Sequence, residues 1–131
     1  MTTSELVHRH FQGAGLTKSF SNILAHHIPL LARPVGEPDR TALPVAGDDP
    51  SAKTKVSRLI EQLGFDTVDA GTLAESWRFE PEAAAYTRLY LADPSAPDEG
   101  MLEAPAAPVP SERLRDALKR AEPVRVAART F

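Results

Sequence analysis

The stretch Leu43–Gly71, LPVAGDDPSAKTKVSRLIEQLGFDTVDAG, limits the possible folds more than any other part of the chain. It predicts a strand over TALPVAG, then a helix, then a second strand over FDTVDAG. Asp49 is a good helix N-cap, and Pro50 suits the first helical position because its missing N–H costs no hydrogen bond there. Gly64 supplies the left-handed residue that ends the helix. We therefore expect a βαβ-like unit from Thr41 to Ala70.

Apolar residues recur at helical spacing along the helix of this unit and predict one buried stripe. The stripe comprises Ala52, Val56, Leu59, Ile60 and Leu63. If it is buried, Leu59→Ala should cost about 2–5 kcal/mol, as large-to-small core substitutions do. In the strand before the helix, Pro44 lacks an N–H, which predicts an edge strand or a position that donates no ladder hydrogen bond.

No phosphate-binding glycine loop precedes this unit. Gly13-Ala14-Gly15 is the nearest approach to a dinucleotide fingerprint, but Lys18 stands where the third glycine or alanine is needed. These glycines also close a predicted helix, whereas the fingerprint follows a strand and opens a helix. We interpret them as turn residues.

The N-terminal part of the chain carries weaker signals. Ser4 can cap a short helix from Glu5 to Phe11, and LTKSFSNI, Leu16 to Ile23, predicts a strand that enters a loop. ILAHHIPLLA predicts one or two helical turns, and RPVGEPDR a loop.

Beyond the βαβ-like unit, TLAESWRFEPEAAAYTRLYL holds the Trp and both Tyr residues and is expected to pack on the core, partly as helix. The segment Ala92–Pro110 is rich in Pro, Ala and Asp and predicts an extended arm or linker. A helix follows in SERLRDALKRAE, with Ser111 as its N-cap. These signals divide the chain into an α/β part, 1–91, and an arm with a terminal helix, 92–131.

Composition excludes several classes of protein. The 131 residues include no cysteine, so disulfide frameworks, thiol nucleophiles and thiolate metal sites are excluded. The net charge of −3 argues against a nucleic-acid binder, and the absence of a long apolar run argues against a membrane span. We expect a cytoplasmic protein. The basic excess after Ser111 is interpreted as a solvated helix surface in preference to a docking patch.

The histidines do not predict a metal site. His8 and His10 lie two positions apart on a predicted helix and so point to different sides, while His26 and His27 are adjacent. Asp48-Asp49 could suggest a magnesium pair, although a helix cap and its neighbour is the commoner role.

Two loops are candidate ligand-binding sites: Phe20-Ser21-Asn22 after the first strand and Gly71-Thr72-Leu73 after the last. In open α/β sheets, ligands bind outside the carboxyl ends of strands. An equally good interpretation is that both loops only connect elements of secondary structure. Ser21 has no base and acid evident in the sequence, so a serine triad is not supported.

Three segments together resemble the C-terminal half of the NADPH-dependent reductases of coenzyme F420, a deazaflavin. They are KSFSNILAHHI, RPVGEPDRTALPVAGDDPSAK and LGFDTVDAGTLAESWRFEPEAAAY, and the resemblance covers roughly residues 2 to 90. The Ser111 helix is also similar to the terminal helix of bacterial members. The family consists of Rossmann-type oxidoreductases that pass a hydride between NADP(H) and the deazaflavin.

The resemblance implies a partial Rossmann-like α/β domain without the half that carries the glycine loop and the NADP site. It implies that Phe20, Ser21 and Asn22, with Gly71, Thr72 and Leu73, wall the cofactor cleft, and it supplies no catalytic or metal-binding residue. NADP and coenzyme F420 would be cofactors of a complete protein, and neither is expected to bind tightly to this chain alone.

The sequence departs from the family in both loops. Ser21 departs from the family's KAFN pattern, whereas Asn22 keeps a polar amide, and Thr72 replaces the proline of DAGPL. One hypothesis is therefore a truncated or split reductase that is inactive alone. The other is a non-catalytic α/β module for interaction or assembly. In either case the expected partner is a second copy in a homodimer or a separate polypeptide that carries the N-terminal half.

Overall fold

A computed structural model of the protein describes residues 1–123 and shows a mixed α/β fold. The helices are α1 (Thr3–His10), α2 (His27–Leu31), α3 (Pro50–Leu63) and α4 (Ser111–Arg120). The strands are β1 (Thr17–Lys18), β2 (Ala42–Gly47) and β3 (Asp66–Asp69). Three 3₁₀ helices span Leu73–Phe79, Thr87–Tyr90 and Met101–Glu103. Within the described residues, no helix combines the length and the apolar character needed to cross a membrane.

The three strands form one sheet in the order β1-β2-β3. β2 and β3 are parallel, with Ala42 opposite Asp66 and Val45 opposite Asp69, whereas β1 runs antiparallel to β2. All six β2 residues are buried, because α3 and α4 both pack against β2 and β3. A strand covered on both faces is typical of the parallel part of an α/β sheet.

The predicted βαβ unit is confirmed together with its caps. Asp49 accepts hydrogen bonds from the N–H groups of Ser51 and Ala52 at 2.9 and 3.4 Å, and Pro50 is the first residue of α3. Gly64 ends the helix with a φ of +112°. A Cβ atom there would lie 2.9 Å from the backbone nitrogen of Arg33, so only glycine fits.

The buried stripe predicted for α3 is partly wrong. Ile60 is buried and Val56 packs against the core, but Leu59 is 55% exposed and Leu63 54% exposed. A narrow sheet of three strands contacts one row of side chains on the helix, so the neighbouring row of leucines remains in solvent. The predicted cost of Leu59→Ala is corrected accordingly.

Pro44 lies in the central strand and not at an edge, and of the two predicted alternatives the position that donates no ladder hydrogen bond is the one observed. The carbonyls of Thr41 and Val45 accept hydrogen bonds from β3, so alternate residues of β2, Pro44 among them, face the β1 side. On that side β1 pairs only as far as Ala46, and the Pro44 carbonyl accepts a hydrogen bond from Ser19 Oγ at 2.9 Å.

The first helix begins two residues before its predicted start. Thr2 is the N-cap and forms a capping box with Glu5, whereas Ser4 is a buried residue inside α1. The helix ends at His10, and Phe11 is its C-cap.

The strand predicted over Leu16–Ile23 is shortened to Thr17–Lys18. Phe20 has a φ of +57°, which turns the chain away from the sheet. Its ring packs edge-on against Phe65 at a centroid distance of 5.9 Å. This contact fixes the early end of β1.

The Pro-rich segment 92–110 is not a free linker, although it has little apolar content. Its carboxyl half runs back along the 3₁₀ helix Thr87–Tyr90, with a bridge between Leu91 and Ala106. Val109 is fully buried, and its carbonyl accepts a hydrogen bond from Ala42 N–H at 2.8 Å. Pro110, not Ser111, is the N-cap of α4. Both parts of the predicted division contribute to one core, and their status as separate domains stays a prediction.

The side chain of Arg40 links the carboxyl end of α3 to β3. This nearly buried side chain donates from Nη2 to the carbonyls of Glu61 and Phe65 at 2.9 and 2.7 Å, and its Nε lies 3.0 Å from Asp66 Oδ1. We expect Arg40→Met to lower the free energy of unfolding by about 2–4 kcal/mol, because it leaves the buried carbonyl of Phe65 without its side-chain donor and removes the ion pair with Asp66.

Urea titration of this variant beside Arg33→Met tests the role of Arg40. Arg33 also donates to two carbonyls, those of Leu30 and Ala32, and pairs with Asp39, but it is more exposed. Water can replace its contacts, so its replacement should cost under about 1 kcal/mol. Equal losses in the two variants would contradict the role assigned to Arg40.

Candidate functional site

The parallel strands β2 and β3 end side by side, which is where ligands bind in open α/β sheets. Gly47 N–H donates to the carbonyl of Gly71 at 3.0 Å, so the turn after β3 lies directly against the end of β2. Asp48 follows β2, and its Oδ1 accepts a hydrogen bond from Leu73 N–H at 3.0 Å. This edge therefore brings the predicted loop Gly71-Thr72-Leu73 together with the acidic pair.

The polar groups of that turn are largely occupied by protein. Gly71 donates its N–H to Asp69 at 2.8 Å, and its carbonyl also accepts from Lys53 Nζ at 3.2 Å. Leu73 is fully buried, and its carbonyl accepts from Thr2 Oγ at 3.0 Å. Thr72 is the exposed residue of the three. The main role of this turn is therefore structural: it joins β3, α1 and α3.

The ion pair between Lys53 and Asp69 closes the α3 side of this junction at 2.9 Å. Burial acts to raise the pKa of Asp69, but the Gly71 N–H and the Lys53 ammonium outweigh it and hold that pKa below its ordinary value. Asp69 is thus an ionised structural carboxylate and not a proton donor.

His8 reaches the same junction from α1. Its Nε2 lies 3.1 Å from the carbonyl of Ala14, and its Nδ1 lies 3.7 Å from Asp48 Oδ2. Both ring nitrogens lie near protein groups, so His8 links α1 to this junction. Asp49 is used as the cap of α3. The acidic pair and its histidine hold secondary structure together.

The other predicted loop lies elsewhere. Ser21 is exposed, whereas Asn22 is fully buried and donates from Nδ2 to the carbonyl of Ala85 at 2.8 Å and to Tyr90 Oη at 3.0 Å. Tyr90 Oη in turn donates to the carbonyl of Ala42 at 2.9 Å. Asn22 Oδ1 has no hydrogen-bond partner among the described residues.

Tyr90 was not singled out from the sequence, although it forms the centre of this network. Burial raises the pKa of its hydroxyl well above the ordinary value, with the Asn22 hydrogen bond acting in the opposite direction. The hydroxyl therefore stays protonated and serves as a donor. The signal available in the sequence was a tyrosine in a segment that otherwise reads as core.

The two predicted loops are not brought together. Because β1 is antiparallel to β2, the chain leaving β1 travels toward the amino end of β2, where Asn22 reaches Ala42 through Tyr90. Gly71 lies beside Gly47 at the carboxyl end of the same strand. Phe20, Ser21 and Asn22 thus occupy one end of the sheet and Gly71, Thr72 and Leu73 the other.

His26 and His27 form a structural pair. The Nε2 atoms of His26 and His27 each lie 2.9 Å from the carbonyl of Ala104, and the two rings are 4.2 Å apart. Within residues 1–123 no three metal-ligating side chains form a group that could hold an ion.

The outer edge of β1 opens onto a groove of about 280 Å³ between this strand and α1. Thr3, Ser4 and Val7 of α1 line one side of the groove, and Leu16 and Lys18 the other. Leu6 of α1 and Phe11, the C-cap residue of this helix, are 61% and 59% exposed to solvent. We call the groove and these exposed side chains the α1 face.

Comparison with known proteins gives distant relatives. No family model matches the sequence. The protein YjhV of Escherichia coli strain K12 is 39% identical over 72 residues, which are 55% of this chain and 50% of that protein. The chain thus spans about half the length of the curated relative that it matches.

Two solved structures share the fold. The hypothetical protein SMa0349 from Sinorhizobium meliloti matches with a TM-score of 0.57 and 30% identity over 66% of this chain and 42% of that one. A candidate F420-dependent NADP-reductase from Arthrobacter sp. FB24 matches with a TM-score of 0.50 and 26% identity over 58% of this chain and 34% of that one. The protein is therefore a partial Rossmann-like α/β domain, distantly related to a reductase-like structure.

Proposed function

We propose that this chain is the C-terminal part of an NADP(H)/deazaflavin (F420) oxidoreductase-like protein, inactive alone and contributing one wall of the cofactor cleft. Support comes from the sequence resemblance over residues 2 to 90 and from the likeness to the Arthrobacter structure. The glycine-loop half would be supplied by another polypeptide.

The observation that carries the proposal is the inverted burial of α1. A surface helix buries its apolar side chains and exposes its polar ones. Here Ser4 is buried, while Leu6 and Phe11 lie in solvent. Together with the short β1, whose outer edge is unpaired within the described sheet, this supports an interface for a partner on one side of the domain.

The residues of this chain do not fit the pyrophosphate of NADP(H) by themselves. A dinucleotide is usually held by the free N–H groups at a helix N-terminus that follows close-approaching glycines. At the N-terminus of α3 the carboxylate of Asp49 already accepts the N–H groups of Ser51 and Ala52 and would repel phosphate. The proposed cleft wall would have to run along the sheet, with the exposed Ser21 beside Phe20 and Asn22 at the amino end of β2 and the exposed Thr72 beside Gly71 and Leu73 at its carboxyl end.

We therefore expect the isolated protein to lack micromolar affinity for NADPH or the deazaflavin, and the pair of halves to bind NADPH. The experiment mixes the chain with a polypeptide comprising the unmatched half of the E. coli relative and follows NADPH fluorescence. The unmatched half alone is the control, since added affinity must require this chain. A micromolar dissociation constant for NADPH on this chain alone would refute the proposal.

The second candidate function is a non-catalytic α/β module for interaction or assembly. The saturated hydrogen bonding of the Gly71–Leu73 turn favours it, because that turn leaves few groups for a ligand. Under this function the α1 face binds a second copy, and the mixture with the other half gains no NADPH affinity. Both functions place the protein in the cytoplasm, which remains part of the proposal.

A further inference from the structure

A second cleft, of about 590 Å³, lies beside the outer edge of β3, on the side of the sheet covered by α4. Three cationic side chains converge on it, one from the 3₁₀ helix Leu73–Phe79 and two from α4: Arg78, Arg115 and Lys119. Val68 and Leu118 form an apolar floor. This basic cleft is at the opposite edge of the sheet from β1.

The charges around the basic cleft do not balance. Arg78 pairs with Glu75 at 2.7 Å, and Asp69 at the rim pairs with Lys53 at 2.9 Å, so these four charges cancel. No residue among 1–123 forms an ion pair or hydrogen bond with the side chain of Arg115 or Lys119. Two positive charges are therefore uncompensated in a chain whose net charge is −3.

Arg78 is held in a fixed orientation. Its Nε donates to Glu75, its Nη1 donates to the carbonyl of Leu118 at 3.3 Å, and its guanidinium lies 4.5 Å from the ring of Trp77. In the described part of the chain, Nη2 has no partner. A planar fork with an available donor is the arrangement that recognises phosphate oxygens.

The stability of α4 does not require this arrangement. Like charges four residues apart on a helix repel each other, and Arg115 and Lys119 have that spacing. The last turn of a helix favours a cation, which accounts for Lys119 but not for Arg115 in the middle of α4.

We propose that the basic cleft binds the phosphomonoester group of a small organic molecule. Such a group carries a charge of about −1.5 to −2 at pH 7, which matches the two uncompensated cations. Arg78 would supply an oriented donor, Arg115 and Lys119 would close over the phosphate oxygens, and the apolar floor would contact the organic part. The proposal is independent of the reductase-like function, since the α1 face takes no part in it.

The test uses phenyl phosphate as the probe and isothermal titration calorimetry on the full chain. We expect a submillimolar dissociation constant, and an affinity weaker by about tenfold or more for benzenesulfonate, which has the same ring but a single charge. Binding of phenyl phosphate should weaken as the pH falls below about 6, where the phosphate takes up its second proton.

The double variant Arg115→Gln/Lys119→Gln should weaken phenyl phosphate binding by about tenfold or more. The matched control is Lys55→Gln/Arg113→Gln, which removes the same charge from two exposed positions outside the cleft and should change binding by less than about twofold. All four positions are exposed, so both variants should keep the circular dichroism spectrum of the parent.

Three results would overturn the proposal. If phenyl phosphate binding weakens equally in the two double variants, the electrostatic field of the whole protein, and not the cleft, attracts the anion. If inorganic phosphate binds as tightly as phenyl phosphate, the organic part of the ligand contributes nothing to binding. Absence of calorimetric binding by phenyl phosphate would remove the site itself.

Discussion

Phe65→Ala is expected to lower the free energy of unfolding by about 3–5 kcal/mol, which is large for a domain of this size. Phe65 is fully buried between α3 and β3, and it belongs to the same core cluster as Ile60 and Tyr90. Its ring also packs edge-on against Phe20, the residue that turns the chain out of β1. The substitution would leave a cavity that the surrounding close-packed side chains cannot fill.

Leu59→Ala is the matched control, because it removes a large apolar side chain from the same βαβ unit. Leu59 is 55% exposed, so its replacement should cost less than about 1 kcal/mol. Urea titration followed by circular dichroism measures both variants. A loss for Leu59→Ala as large as that for Phe65→Ala would mean that α3 packs with a different face, and that the stripe predicted from the sequence was right.

The βαβ unit could be predicted because its signals are local. Asp49, Pro50 and Gly64 each act on the backbone within a few residues, through capping, a preset φ and a left-handed conformation. Such effects need no knowledge of the rest of the chain. The same holds for β2, a short apolar run bounded by turn residues.

Burial on the helices could not be predicted with the same accuracy. Periodicity shows which side chains share a face, but it does not show how wide the opposing surface is. On α3 the three-stranded sheet covers Ile60 and leaves Leu59 and Leu63 in solvent. Helix α1 begins directly after Thr2, which forms a capping box with Glu5, and not after Ser4, the cap expected from the sequence.

The two candidate loops lie apart because of the direction of β1. Ligand loops were expected at the carboxyl ends of strands, and Phe20-Ser21-Asn22 does follow a strand. Sequence patterns do not indicate whether that strand is parallel to its neighbour, and β1 is antiparallel. The contact between Asn22 and Tyr90 joins residues 68 positions apart, so it too depends on the complete fold.

The α1 face leads to the last prediction, which concerns assembly. We expect the isolated chain to form a homodimer at micromolar concentration, because Leu6, Val7 and Phe11 are exposed apolar residues and the outer edge of β1 is unpaired within the described sheet. Apolar side chains at the centre of an interface carry most of its binding energy. Leu6→Ser/Phe11→Ser should therefore weaken the dimer by about a hundredfold or more and give a folded monomer.

Light scattering during size-exclusion chromatography measures the mass of each variant. Leu30→Ser/Leu102→Ser is the matched control, since both leucines are exposed, at 54% and 75%, and both lie outside the α1 face. Its dimer should be unchanged, because loss of apolar surface elsewhere does not touch the contact. A parent chain that is monomeric, with slowly exchanging amides over Leu16–Phe20, would mean that the chain covers its own edge. A control that dissociates as readily as the α1 variant would place the contact on another surface, and in either case the α1 face would lose its role as the interface between copies.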